Sequence, residues 1–167
     1  PISALDAIAV SAGPGSYTGL RVSMATAKGL CYALSKPLIA MNTLKIMAIA
    51  AARQAGPGSL ICPMIDARRM EVFTALYDNQ LVELISPRSL ILAAESFTPW
   101  LNESPVLFFG NGAKKYKDLL KIPAAIFSEI PVEVADGIGL AAEMYARKEF
   151  SDLVYAEPFY LKPFYTP

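Results

Sequence analysis

Histidine is absent from all 167 residues. Without imidazole the chain lacks the usual general base near neutral pH and the commonest side-chain ligand for zinc or iron. Cysteine is scarce: Cys31 and Cys62 both stand in apolar surroundings, which predicts free, buried thiols. Neither sign of charge is in surplus, because fifteen Lys and Arg balance fifteen Asp and Glu. A chain that neutralised many phosphates alone would be basic, so strong unaided binding of RNA is not expected. No apolar run reaches membrane-spanning length, and "PLIAMNTLKIMAIAAARQAG" is broken by Asn42, Thr43 and Lys45. There is no signal-peptide pattern, no initiator methionine, no internal repeat and no low-complexity linker. Pro1 enters directly before a strand, so the sequence reads as a fragment or a processed chain. What is plentiful is apolar residue, 54% of the total, and that surplus predicts a buried protein interface.

The order of elements is α/β. Leu5 to Ser11 reads as a short buried strand, ended by Gly13-Pro14-Gly15. A helix follows from Ser16 or Thr18 to Leu34, with either residue able to cap it. Leu38 to Met41 is a second apolar run, and Asn42 or Thr43 caps a helix closed by Gly56-Pro57. This alternation predicts neighbouring parallel strands. After Gly58 the texture changes. "LICPMIDA", "MEVFTALYD" and "QLVELIS" predict an antiparallel meander, with Arg68-Arg69 and Asp78-Asn79 at its bends. A short helix over 96–101, a strand "VLFFG" and a helix over 113–121 come next. Asp136 is expected to cap a last helix through Leu140 and Met144. The tail "YAEPFYLKPFYTP", with rings at Phe159, Tyr160, Phe164 and Tyr165, reads as an extended strap that packs on the domain. The expected division is 1–57, 58–134 and 135–167.

The glycine loop invites a nucleotide reading, and the templates refuse it. A Walker loop needs Gly-Lys-Ser/Thr after four intervening residues, and "GPGSYTGLR" has no lysine there. The dinucleotide fingerprint needs glycine at the position of Thr18, and the glycine comes one residue late, at Gly19. Gly13 and Gly15 instead permit a tight strand-to-helix turn that Ser16 caps. Ser16 also lacks a Gly-x-Ser-x-Gly frame and any histidine to activate it, and nothing positions Lys28 as a substitute base. In the helix behind the loop, Leu20, Met24, Ala27, Cys31 and Leu34 form one apolar seam. Ala25, Gly29 and Ala33, small residues four apart, form a second line that lets another helix approach closely. Either the second line meets a partner or the helix is buried on both sides within its own chain.

"AGPGSYTGLRVSMATAKGLCYALSKPLIAMNTL", "IDARRMEVF" and "EPFYLK", in this order, strongly resemble the TsaB (YeaZ) family, over nearly the whole chain. The resemblance implies a two-lobed fold of the actin-like, sugar-kinase and heat-shock-ATPase (ASKHA) type. It also implies a first lobe that is incomplete here, lacking the opening strand with its "IDTS"-like turn, a hairpin and a first long helix. The implied function is that of a non-catalytic cytoplasmic partner that docks onto and activates TsaD in threonylcarbamoylation of adenosine in tRNA. TsaE, an ATPase, is implied as a further partner, and the docking surface would also serve a homodimer. Contact with tRNA is implied only indirectly or through the complex, and no membrane is involved. The family's docking face maps here to the helix at 18–34, with Thr18, Leu20, Arg21, Met24, Ala25, Lys28, Gly29 and Ala33 as expected contributors. Gly13, Pro14, Gly15, Ser16, Asp66, Arg68 and Tyr160 are expected to act structurally.

Enzymatic alternatives come from the same superfamily. The catalytic relative TsaD carries a "VNHLEGH"-like metal motif, whose two histidines fall here on Thr43 and Met47 in "MNTLKIM". A hydroxyl and a thioether are poor partners for iron or zinc, so no metal site is expected, and a glycoprotease-like metallopeptidase is the weaker reading. A sugar or acid kinase shares the fold but needs an Asp base and two phosphate loops. "FFGNGAKKY" reads as an Asn-Gly turn before a helix rather than a phosphate loop, so no nucleotide or other cofactor is expected. Asp66, Arg68, Arg69 and Glu71 form the densest charged cluster, read as a bend held by Asp66. Lys114, Lys115, Lys117 and Lys121 read as a solvated helix face.

Overall fold

The structure, a computed structural model, describes residues 1–162, so Phe164 and Tyr165 of the expected strap lie outside the described residues. The chain divides into two compact units: Pro1–Ile46 with Glu133–Tyr160, and Met47–Val132 with the stretch from Leu161.

In the first unit, β1 (Ile8–Gly13), α1 (Tyr17–Leu34) and β2 (Leu38–Asn42) form a β-α-β unit with parallel strands. The strand expected from Leu5 starts instead at Ile8, because Ile8 stands opposite Leu38, the first residue of β2. Residues 2–4 form a 3-10 turn, and Leu5 is left exposed. Strand alternation then sorts the side chains onto two faces. Leu38 and Ala40 join Val10, Ala12, Met24, Ala27 and Cys31 on the α1 side, while Ile39 and Met41 meet Leu140, Ala141 and Met144 on the other. The latter three belong to α5 (Ile138–Ala146). Asp136 does not cap α5 as expected. Glu133 is the N-cap of a 3-10 turn (Val134–Gly137) leading into α5, and Asp136 accepts from Glu133 N–H at 2.8 Å in a reciprocal capping box.

Later residues close onto the strand pair. Ser151 N–H donates to Leu38 O at 2.8 Å, and its hydroxyl accepts from Ala40 N–H at 3.2 Å. Phe159 N–H donates to Ala12 O at 2.7 Å, so the extended strap is stitched to the end of β1. Helix α2 (Thr43–Ala52) follows β2 directly, with Asn42 Oδ1 accepting from Leu44 N–H at 2.9 Å as its cap.

The second unit is a five-stranded mixed sheet in the order β5-β4-β3-β6-β7. Strands β3 (Leu60–Asp66), β4 (Glu71–Tyr77) and β5 (Glu83–Ile91) are the expected antiparallel meander. Strands β6 (Val106–Phe109) and β7 (Ala125–Phe127) add in parallel to β3, joined through α3 (Thr98–Glu103) and α4 (Ala113–Leu119). β7 is three residues long and carries little strand signal of its own; pairing with β6 makes it a strand. The core is a ring cluster of Phe97, Phe108, Tyr116 and Phe127, with centroids 5.0–6.4 Å apart. Tyr116 O–H donates to Ala94 O at 3.2 Å, which satisfies the one polar atom such a ring brings inside. Cys31 and Cys62 are free and buried, and burial pushes the Cys62 thiol up to about 12.

Candidate functional site

The glycine loop at the end of β1 is filled by the chain itself. Gly13 has φ +122°, and a Cβ built there would lie 2.7 Å from Phe159 O and 3.1 Å from a Leu20 methyl. The strap backbone therefore packs directly against Gly13, in the space a side chain would need. Ser16 Oγ accepts from Gly19 N–H at 3.4 Å as the helix N-cap. Lys28 Nζ is committed elsewhere, donating to Val154 O at 3.0 Å and Ala156 O at 2.9 Å, so no serine–lysine pair exists. Arg21 Nε donates to the Tyr160 hydroxyl at 3.2 Å, and its guanidinium lies 4.3 Å from the Tyr17 ring centroid. Tyr160, Arg21 and Lys28 thus fasten the strap along one flank of α1.

The phase of α1 decides what remains open. Leu20, Met24, Ala27 and Cys31 are buried against the strands. Leu20 and Met24, expected among the partner contacts, are only 8% and 3% exposed and serve this core seam. Thr18, Ala25, Gly29 and Ala33 are exposed on the opposite side, and Arg21 is exposed at the strap flank. A Cβ on Gly29 would meet nothing within 4 Å. Two side chains that the small-residue line did not single out complete this face: Val22 is 61% exposed and Tyr32 82%. The signal for them was present. With Leu20, Met24, Ala27 and Cys31 inward, a 100° step per residue puts Val22 and Gly29 outward. The result is an apolar strip with a shallow trough at Ala25 and Gly29, edged by Val22 and Tyr32.

The second unit contains a polar cluster at the bend between β3 and β4. Asp66 Oδ1 accepts from Lys115 Nζ at 2.8 Å and from Arg68 N–H at 2.6 Å. Asp66 N–H donates to Asn111 Oδ1 at 2.8 Å. Glu71 is paired with Lys162 and accepts from the Ser89 hydroxyl. Asp66 accepts from the backbone of the bend at Arg68 and has Lys115 as its ion-pair partner. Arg68 and Arg69 adopt φ +71° and +47°, a region that costs a side-chain-bearing residue about 1 kcal/mol. The four lysines expected on one helix face are divided. Lys115 turns to Asp66, while Lys117 and Lys121 line an open depression of about 670 Å³ with Asp118, Leu120 and Phe127.

The second glycine loop is also occupied. At Gly110, φ +92°, a Cβ would lie 2.4 Å from Met64 O; at Gly112 it would lie 2.8 Å from a Val72 methyl. Both glycines let the loop press on β3 and β4. Thr43 Oγ1 lies 2.6 Å from Ser11 Oγ, and no group of three His, Cys, Asp or Glu that could hold a metal occurs among the described residues.

The Lys115 pairing has a measurable consequence. Lys115 first, and then the Arg68 N–H, hold the Asp66 carboxyl below its usual value of 3.8. A lowered carboxyl stabilises the fold at pH above the unfolded value, and that contribution disappears as pH falls through the lowered folded value. Asp66→Asn is expected to flatten the acid limb of a Tm-against-pH profile, from about pH 5 downward. An acid limb identical to that of the parent chain would remove this pairing as a source of stability.

Comparison with known proteins identifies the family of the chain. The family model for TsaD, tRNA N6-adenosine threonylcarbamoyltransferase, matches residues 1–156. The TsaB tRNA threonylcarbamoyladenosine biosynthesis protein of Bacillus subtilis is 36% identical over 124 residues, 70% of this chain and 51% of that protein. This chain thus spans about half the length of that relative. The Escherichia coli TsaB is 29% identical over 95% of this chain and 71% of its own length. The solved structure of YeaZ from Pseudomonas aeruginosa superposes with a TM-score of 0.79 at 30% identity, covering 96% of this chain and 76% of that one. The actin-like α/β fold expected from the motifs agrees with these matches. The chain belongs to the family of the tRNA N6-adenosine threonylcarbamoyltransferase model and, within it, to the TsaB (YeaZ) group.

Proposed function

We propose that this chain is a non-catalytic docking subunit that binds the transferase TsaD through the open face of α1 and supports threonylcarbamoyladenosine formation in tRNA. One observation carries the reading. An 18-residue helix leaves Val22, Ala25, Gly29, Tyr32 and Ala33 uncovered in a row, whereas its polar and cationic flank is already committed to the chain's own strap. Small residues at i and i+4 allow a partner helix to approach closely, and the flanking Val22 and Tyr32 supply apolar area and a large anchoring ring. The strap is part of the device: by occupying the loop and fixing Arg21 and Lys28, it holds α1 in one rotational setting. In this reading TsaE joins as a further partner, and the cytoplasm is the compartment. Among the described residues no helix is long and apolar enough to cross a membrane.

Light scattering on this chain mixed with purified TsaD, beside each alone, tests the reading. A one-to-one complex is expected, and Gly29→Leu should weaken it at least tenfold, about 1.4 kcal/mol. The same substitution should leave the isolated fold intact, because the added side chain meets open space and leucine favours helix over glycine by about 0.7 kcal/mol. A complex indifferent to Gly29→Leu would move the docking surface elsewhere. Self-association that Gly29→Leu abolishes, with no binding of TsaD, would make the face a homodimer contact instead.

A further inference from the structure

The bend between β3 and β4 carries two adjacent arginines in a backbone region that glycine favours. Arg68 and Arg69 are both exposed, and among the described residues neither guanidinium has a hydrogen bond or an ion pair. The fold accepts local strain here and, among the described residues, gains no hydrogen bond or ion pair from these side chains beyond the electrostatic attraction of Arg69 to Glu71. Their surroundings neutralise them only in part: the Glu71 carboxylate, which pairs with Lys162, also feels the charge of Arg69. The two carboxylates of the cluster are each matched by a lysine, Asp66 by Lys115 and Glu71 by Lys162, and Lys114 is exposed beside Lys115. Positive charge is therefore concentrated at one end of this sheet in a chain whose net charge is zero.

We propose that this bend is a contact for the phosphate backbone of a structured RNA, with Arg68 and Arg69 donating to non-bridging phosphate oxygens beside the ion-paired Lys115 and Lys162. A guanidinium fork fits phosphate and carboxylate equally well, so the surroundings must choose between them. The centres of protein interfaces are depleted in lysine, whereas arginine with lysine is the usual set at a nucleic-acid backbone. The lysines here are anchored to carboxylates, and Glu71 also offsets part of the Arg69 charge, which leaves Arg68 and the exposed Lys114 as the cations that no carboxylate of the cluster pairs with. With no net positive charge elsewhere to assist, the contact is weak and salt-sensitive, and it orients an RNA more than it captures one. The inference rests on the preceding reading only in naming transfer RNA as the probe.

Fluorescence anisotropy of a labelled transfer RNA titrated with the full chain, at low and at near-physiological salt, tests it without TsaD. Binding at low salt is expected, and the double variant Arg68→Gly with Arg69→Gly should weaken it at least tenfold. That variant should also reduce the slope of log affinity against log salt by about 1–2. Glycine relieves the backbone strain, so the variant should melt no lower than the parent, which separates lost contact from lost fold. Arg68→Lys with Arg69→Lys should preserve the salt slope. Unchanged RNA binding by the glycine variant, or no binding by the parent chain at low salt, would overturn the proposal. So would a glycine variant that loses TsaD but keeps RNA, which would make the bend a protein contact. Gly29→Leu should bind RNA as the parent does, so failure of the docking reading is read separately.

Discussion

Gly13→Ala will destabilise the first unit by about 3 kcal/mol, lowering Tm by about 6–12 °C for a chain of this size. Two costs combine at this residue. A side-chain-bearing residue is strained at φ +122°, and the new Cβ would stand 2.7 Å from Phe159 O, a backbone atom that cannot swing aside. Relief requires Phe159 to withdraw, which breaks its hydrogen bond to Ala12 O and loosens the attachment of Tyr160 to Arg21. Proteolysis within the strap, near Val154–Tyr155, should therefore accelerate in the variant. Gly15→Ala is the control. Its Cβ would meet only Leu20 side-chain carbons at 3.8–4.0 Å, so it should melt within about 1 kcal/mol of the parent. Equal losses at the two glycines would defeat the claim that the loop exists to seat the strap.

Gly110→Ala is expected to be at least as damaging to the second unit, at about 3–5 kcal/mol. Its φ of +92° already excludes a comfortable side chain, and its Cβ would lie 2.4 Å from Met64 O and 2.8 Å from the Met47 methyl. Met64 sits in a central strand, paired with Thr74 of β4, and Gly112 N–H donates to its carbonyl at 3.0 Å. Retreat from the clash therefore disturbs the sheet itself. Gly139→Ala in α5 makes the contrast, because it meets nothing within 4 Å and should gain up to about 1 kcal/mol from helix propensity. Thermal melts of the pair decide the matter. A tolerated Gly110→Ala would return this loop to consideration as a ligand cradle.

Much of the architecture was legible because its signals are local. Glycine and proline at 13–15, a serine cap, and apolar residues at helical spacing suffice to write α1 nearly to the residue. Short apolar runs bounded by turn residues do the same for β3 and β4. The absence of histidine made metal-peptidase chemistry the weaker reading before any geometry was known. β7, the 3-10 turn before α5 and the role of Asp136 were not legible, because each is defined by a partner rather than by its own run of residues.

The candidate site divides along the same line. Sequence alone determined that α1 carries an inward seam and a line of small residues, since both follow from a period of 3.6 residues. Which of its other residues stay open was decided by tertiary structure. Residues 154–160, more than a hundred positions away, lie along one flank and commit Lys28 and Arg21, leaving Ala25, Gly29, Val22 and Tyr32 to solvent. The same holds for the glycines. Local sequence shows that Gly13 and Gly110 allow turns. Only the folded chain shows that Phe159 O and Met64 O fill the space a side chain would need, because a close approach between distant backbones leaves no mark on either segment alone.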